Sequence, residues 1–272
     1  MSRELYLCAD DYGQNEGISR GIEALAREKR INAISCMVTT PVWEARASCL
    51  ETYAASCYVG LHVNLTEGAP LSQAWINQYG LKFKPLSWLI AMSFSNRLDK
   101  QVIALELEQQ WDAFMAQTGR LPEFIDGHQH VHQFPVIREY LMAKQHVNTS
   151  LRFRNTSPGI KLRHILDGMP KKHIISCLGG ARFNQMLSVK QAMFNSSFSG
   201  VYNFKHANHY RQHFRQFLKN STSQGLIMCH PGHDVNDKTD PLRLSRHHEF
   251  DYLMSDAYRD DLRAMGCALI KK

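Results

Sequence analysis

Four short apolar runs in this chain end in an acid or an imidazole, and that pattern limits the folds open to it. ELYLCADD (residues 4–11) runs into Asp10 and Asp11, CYVGLHVN (57–64) into His62 and Asn64, PEFIDGH (122–128) into Asp126 and His128, and GLIMCH (225–230) into His230. Runs this short and this apolar read as strands buried on both faces, as in a parallel sheet. NAISCMV (32–38) is a further run of the same kind. Helical patterns lie between them. Residues 14–29 place Ile18, Ile22, Leu25 and Ala26 on one face, residues 43–55 are rich in Ala and Glu, and residues 99–118 run from a capping Asp99 to a stop at Gly119. Residues 135–144, 187–195, 209–219 and 256–265 also read as helices, and 151–155, 173–178 and 267–270 as strands. Residues 66–98, with Gly68, Pro70, Gly80 and Pro85, read as a long loop region with short helical pieces, of the kind that usually carries function. Alternating strand and helix predicts an α/β fold with mostly parallel strands. The 272 residues suit one domain covering 1–272, and a (β/α) barrel of roughly 250 residues is a natural fit.

In a parallel α/β sheet, ligands bind beyond the carboxyl ends of the strands. The four polar strand ends are therefore expected on one face of the molecule. Each also has a plainer reading. Asp10 and Asp11 could cap the following helix, His62 could be a satisfied core histidine, and His230, ahead of Pro231 and Gly232, could belong to a turn. Two adjacent carboxylates at a strand end are nonetheless costly without a cation nearby. The stretch FIDGHQHVHQFP places His128, His130 and His132 at alternate positions, which an extended backbone would turn to one face. A metal site needs one or two of these, and the others would orient ligands or touch substrate. Two neutral imidazoles and one carboxylate leave coordination positions open, which suits a catalytic divalent ion. A free aspartate as base and His230 as acid complete a set suited to metal-assisted amide hydrolysis.

Composition narrows the class further. The hydrophobic fraction of 44% is enough for a full core. No run of about 18 apolar residues occurs, so no membrane span is expected. The start, MSRELYLCADDYG, lacks the longer apolar region of a signal peptide, and a cytoplasmic location is expected. The seven cysteines are odd in number and form no CxxC pair, which suits buried free thiols in a reducing compartment. The net charge of +7 is uneven, because residues 136–219 carry 14 Lys/Arg against 2 Asp/Glu. Such a segment could serve solubility, or draw in an anionic substrate or surface. Its aromatics are scattered and no RNA-binding motif occurs, so nucleic acid is not an expected partner.

The motifs ADDYG (9–13), GLHVNLTEGAPLS (60–72), DGHQHVHQFP (126–135) and CHPG (229–232) occur in an order that resembles the YdjC-like carbohydrate deacetylase family, which includes chitooligosaccharide deacetylases and hopanoid-associated relatives. The resemblance implies a distorted, TIM-barrel-like (β/α) barrel, one divalent metal ion and removal of an N-acetyl group from an amino sugar. The sugar could be an oligosaccharide, a polysaccharide or a lipid-linked glycan. By this resemblance Asp11, His62 and His128 hold the metal, Asp10 is the base and His230 the acid. Tyr12, Asn64, Asp126, His130 and His132 contact substrate or support those groups. The division of labour between Asp10 and Asp11 follows the more distant NodB-type deacetylases. Magnesium is the metal the family implies, and two imidazole ligands suit zinc or manganese equally. Two departures from the family pattern are Tyr12 in place of phenylalanine and Gln129 in place of a histidine. The basic segment 136–219 is the least family-like part, and it suggests a substrate bearing phosphate or carboxylate. A homodimer is compatible with this reading. The alternatives are a sugar- or polyanion-binding protein without turnover, and a metallohydrolase of another bond.

Overall fold

A computed structural model describes residues 2–157, 178–233, 238 and 240–272. Its centre is a parallel sheet of nine strands: β1 (Arg3–Tyr12), β2 (Ala33–Cys36), β3 (Tyr58–Val63), β4 (Phe124–Gly127), β5 (Arg152–Phe153), β6 (Met193–Phe194), β7 (Phe198–Ser199), β8 (Gly225–Cys229) and β9 (Cys267–Leu269). The strand order is β6-β5-β4-β3-β2-β1-β8-β7, with β9 also paired to β1. All the pairings are parallel, so the expected α/β, TIM-barrel-like architecture is what the chain adopts. No pairing joins the outer strands β6 and β7 among the described residues, which leaves the barrel open between them.

The sequence explains the central strands directly. Every residue of β1 from Leu5 to Tyr12 is buried, as are all four of β2 and of β4, so both faces of these strands meet apolar neighbours. Helices pack on the outside: α1 (Glu16–Arg27), α2 (Pro41–Arg46), α3 (Gln73–Tyr79), α4 (Leu86–Phe94), α5 (Lys100–Thr118), α6 (Ile137–Ala143), α7 (Gly180–Val189), α8 (Tyr210–Asn220), α9 (Arg243–Met254) and α10 (Asp256–Ala264). In α5 the Asp99 carboxylate accepts from the backbone N–H groups of Gln101 and Val102 at 2.9 and 3.1 Å, and Gly119 ends the helix in the left-handed region at φ 67°. Residues 66–98 contain two short helices, α3 and α4, as the sequence suggests.

Three readings need correction. The helix expected over 187–195 instead spans Gly180–Val189, where Phe183 and Leu187, one turn apart, are buried in the core. The chain then turns at Gln191 (φ 52°) into β6. Helix α9 was not expected at all. Its sequence, RLSRHHEFDYLM, hides a core face behind charged residues that are themselves buried: Arg246 and Glu249 lie inward beside Phe250 and Leu253. Residues 128–133 are not extended. They form a tight 3-10 turn with Gln129 and His130 in the left-handed region (φ 52° and 61°), so the three histidines do not stand on one extended face. The strand expected at 173–178 lies outside the described residues except for Leu178. Among the described residues six cysteines are free, and all but Cys49 are buried. No helix there is long and apolar enough to cross a membrane.

Candidate active site

The carboxyl ends of β1, β3, β4 and β8 converge on the floor of an open cavity of about 210 Å³. Asp10, Asp11, His62, His128, His130 and His230 line its polar side, and Leu86, Val201, Phe204, Met228 and Leu242 its apolar side. Four segments far apart in sequence thus deliver their acids and imidazoles to one place.

Asp11 is the pivot. It sits at φ 71°, a conformation that L residues seldom adopt and that clusters at functional sites. Gly13, at φ 92°, lets the chain leave the strand, and a Cβ there would meet the Met37 carbonyl at 2.5 Å. Asp11 Oδ1 faces His62 Nε2 at 3.3 Å and His128 Nδ1 at 3.1 Å. Ligand atoms of Asp11, His62 and His128 all lie within 4.8 Å of one another. The far nitrogen of each imidazole is also held. His62 Nδ1 lies 2.7 Å from Asp126 Oδ1, and Ser35 donates to the same carboxylate oxygen. His128 Nε2 lies 3.1 Å from Glu67 Oε2, and Gln14 donates to Glu67 Oε1 at 2.6 Å. A carboxylate on one ring nitrogen fixes the tautomer, so that the other presents its lone pair, which is how metal-binding histidines are usually braced.

Two arginines supply the positive charge that neighbouring carboxylates require. The Arg154 guanidinium is fully buried and forks onto Asp10, with Nη1–Oδ2 and Nη2–Oδ1 both 2.6 Å, and it also pairs with Asp126. Arg246 Nη2 donates to Asp11 Oδ2 at 2.8 Å while its Nε donates to Asp240 Oδ2 at 2.7 Å. The cations that relieve Asp10 and Asp11 are therefore side chains, which two adjacent carboxylates in a sequence do not by themselves foretell. They do not fully balance the floor. Four buried carboxylates, Asp10, Asp11, Asp126 and Asp240, share two guanidiniums. His62 registers the deficit. Burial pulls its pKa down, but Asp126, with Asp11 and Asp10, outweighs burial and pushes it up to about 10. A divalent ion between Asp11, His62 and His128 would supply the missing charge, so the residues present fit one.

Asp10 lies beside this group. Burial would raise its pKa, but Arg154 overrides that and lowers it to about 2, so the carboxylate is ionised at neutral pH. His230 Nε2 stands 3.9 Å from Asp10 Oδ2, and burial lowers the His230 pKa to about 4. Of the remaining residues singled out from the sequence, His130 lines the cavity and packs on Phe198. Asp126 and His132 stand behind the floor, Asp126 on His62 and His132 with Nε2 2.9 Å from the Arg154 carbonyl. Tyr12 and Asn64 do not reach the cavity. The Tyr12 hydroxyl points at Glu23 Oε1 and the Arg46 carbonyl, each at 2.8 Å, and the Asn64 side chain ties the loop at Thr66 and Glu67. Ser35, Glu67, Arg154, Arg246 and Glu249 escaped the sequence reading. Arg154 had a signal, as the second arginine of the run LRFR, just beyond a strand end.

The buried imidazoles set a pH dependence. His132 and His230 are both lowered from 6.5 to about 4, chiefly by burial. Their contribution to stability is complete above pH 6.5 and is lost as pH falls through about 4. Burial raises Glu249 from 4.5 to about 7, so its contribution is complete below 4.5 and is lost as pH rises through 7. Burial also holds His130 well below 6.5, so these lowered imidazoles outnumber the one raised carboxyl between those limits. The thermal midpoint of the metal-free protein is expected to fall on acidification from pH 6.5 to 4, and to fall more steeply in Glu249→Gln. A midpoint that is flat or rising over that interval in calorimetry would contradict the burial of these imidazoles.

Comparison with known proteins follows the same lines. A family model described as YdjC-like protein matches residues 4–264. A chitooligosaccharide deacetylase of Escherichia fergusonii is 33% identical over 138 residues, 50% of this chain and 53% of that protein. The match thus spans only about half the length of that relative. A chitooligosaccharide deacetylase of Yersinia enterocolitica is 26% identical over 284 residues, covering 99% of this chain and 98% of the relative. Among solved structures, a protein of Enterococcus faecalis V583 named for cellobiose-phosphate cleavage has a TM-score of 0.73 at 18% identity, covering 100% of this chain and 98% of its own, and so shares the fold.

Proposed function

Because the chain belongs to the YdjC-like family, we propose that it is a carbohydrate deacetylase that removes an N-acetyl group from an amino sugar with the help of one divalent metal ion. The observation that carries this reading is the meeting of Asp11, His62 and His128 on the cavity floor, with Asp10 and His230 beside them. Asp11, His62 and His128 would hold the ion. When bound, such an ion polarises an acetamide carbonyl and acidifies a water molecule, so that even a weakly basic carboxylate suffices to take a proton.

The chain's own groups do the rest. Asp10 is the base, and the Arg154 fork fixes both its charge state and its orientation. His230 is neutral at pH 7, so it acts as an acid only after gaining a proton. Asp10, 3.9 Å away, is the adjacent source. As the water oxygen bonds to the carbonyl carbon, its proton goes to Asp10, crosses to His230 through one intervening water, and reaches the amine nitrogen as the C–N bond breaks and acetate leaves. The apolar wall of Val201, Phe204 and Leu242 limits water near the reacting carbonyl. Asp126, His132, Ser35 and Glu67 hold the working groups in place, and Gln129 and His130 face the sugar.

Magnesium, manganese and zinc all remain compatible with one carboxylate and two imidazoles. The basic excess of residues 136–219 is partly matched by acids from outside the segment: Lys144 pairs with Glu108, Arg154 with Asp10, and Arg211 and Arg215 with Asp261. An anionic or lipid-linked substrate is therefore supported by fewer free charges than composition alone implies. A screen of neutral and anionic N-acetylated glycans, with acetate release as readout, tests the reading. Acetate is expected to appear, to stop on chelation and to return with added metal. Absence of acetate release with every glycan, or release that ignores chelation, would contradict it. Turnover that is unchanged between low and high salt would exclude steering by the basic segment.

A further inference from the structure

Helix α9 lies behind the floor, and two of its inward side chains, one turn apart, each grip a different working part of the site. Arg246 is 3% exposed and donates to Asp11 Oδ2 at 2.8 Å and to Gln14 Oε1 at 3.0 Å. Glu249 is fully buried. Its Oε2 accepts from the backbone N–H of His230 at 2.6 Å, and its Oε1 accepts from the Tyr202 hydroxyl at 2.7 Å. The same helix also touches the His230 turn at its far end, where the Arg246 carbonyl accepts from the Gly232 N–H at 3.2 Å. That turn is packed so closely that a Cβ on Gly232 would stand 3.1 Å from Arg246 Cδ.

A buried carboxyl is a costly way to satisfy one backbone N–H and one hydroxyl, since burial disfavours its ionised form. Glu249 shows that cost in a pKa raised to about 7 by burial. The geometry gives this carboxyl a second role, because it rigidly links α9 to the residue whose ring stands 3.9 Å from Asp10.

We propose that α9 is the positioning element of the centre, with Arg246 setting the Asp11 carboxylate and Glu249 setting the His230 imidazole through its backbone. The Glu249 arm rests on the deacetylase reading, whereas the Arg246 arm rests only on the ion site. Arg246 and Glu249 are positioning residues, because neither lines the cavity. The ring of His230 moves with its backbone, and displacement of a reacting group by about 1 Å costs on the order of 100-fold in rate.

The test uses the full chain and two readouts. In Glu249→Leu, kcat for acetate release is expected to fall about 10–100-fold, with KM and Mn²⁺ affinity within about threefold of wild type. Glu249→Gln, whose amide can still accept from His230 and pair with Tyr202, is expected to restore kcat to within about threefold of wild type. In Arg246→Met, titration calorimetry with Mn²⁺ alone is expected to show affinity weakened about 10–100-fold. If Glu249→Leu does not fold, Tyr202→Phe removes the second anchor of the same carboxyl and is expected to lower kcat several-fold at unchanged Mn²⁺ affinity. The proposal is overturned by an unchanged kcat in the Glu249 or Tyr202 variant, by failure of Gln to rescue, or by unchanged Mn²⁺ affinity in Arg246→Met. Should the wild type release no acetate from any glycan, the deacetylase reading fails, while the Mn²⁺ titration still judges the Arg246 arm.

Discussion

Arg154→Met is expected to destabilise the protein by about 3–5 kcal/mol and to abolish turnover. The guanidinium is wholly buried and forks onto Asp10 while pairing with Asp126. Removing it leaves Asp10 without its paired cation and Asp126 with His62 alone, and the usual response is for such a buried carboxylate to take up a proton. Asp10, now held near 2 by Arg154, would move well up, and a protonated Asp10 cannot accept a proton from water. The loss is large against a typical total stability of about 5–15 kcal/mol. Arg154→Lys restores a charge but not the planar fork, so an intermediate stability with little activity is expected. Urea unfolding of the three proteins measures this directly. A loss below about 1 kcal/mol for Arg154→Met would mean that the guanidinium does not carry the charge balance of the floor.

Asp10→Asn is the second large effect, and it separates chemistry from assembly. Asparagine keeps the size of the side chain and one acceptor for Arg154, which retains Asp126 as its anionic partner. Mn²⁺ affinity is therefore expected to stay within about threefold of wild type. Turnover is expected to fall about 100- to 10,000-fold, the range for loss of a positioned acid–base group. Unimpaired acetate release by this variant would remove Asp10 from its role as base. Loss of metal affinity in step with activity would instead make Asp10 a ligand and reverse the division of labour with Asp11.

The parts legible in the sequence were those written locally. A strand buried on both faces announces itself as an apolar run, and an acid or imidazole at its end announces where the site lies. Asp11, His62, His128 and His230 could be placed on one face for that reason alone. What escaped was of two kinds. The backbone of residues 128–133 depends on the left-handed conformations of Gln129 and His130, and alternation of histidines in a sequence cannot distinguish an extended run from a tight turn. The counter-charges depend on long-range pairing. Arg154 is 144 residues from Asp10, and Arg246 is 235 from Asp11. Helix α9 was hidden for the same reason, because the residues that turn it inward are charged, and a hydrophobic pattern does not count a charge as core. The strand ends thus revealed the reacting groups, but not the arginines and the glutamate that hold them.

The most direct measurement is a crystal structure of the Mn²⁺- or Zn²⁺-soaked protein, with the ion located by anomalous scattering. The account predicts one ion bonded to Asp11 Oδ1, to His62 through Nε2 and to His128, at about 2.0–2.2 Å from its ligands, with Asp10 still on Arg154. An ion held elsewhere, or none at millimolar metal, would contradict it.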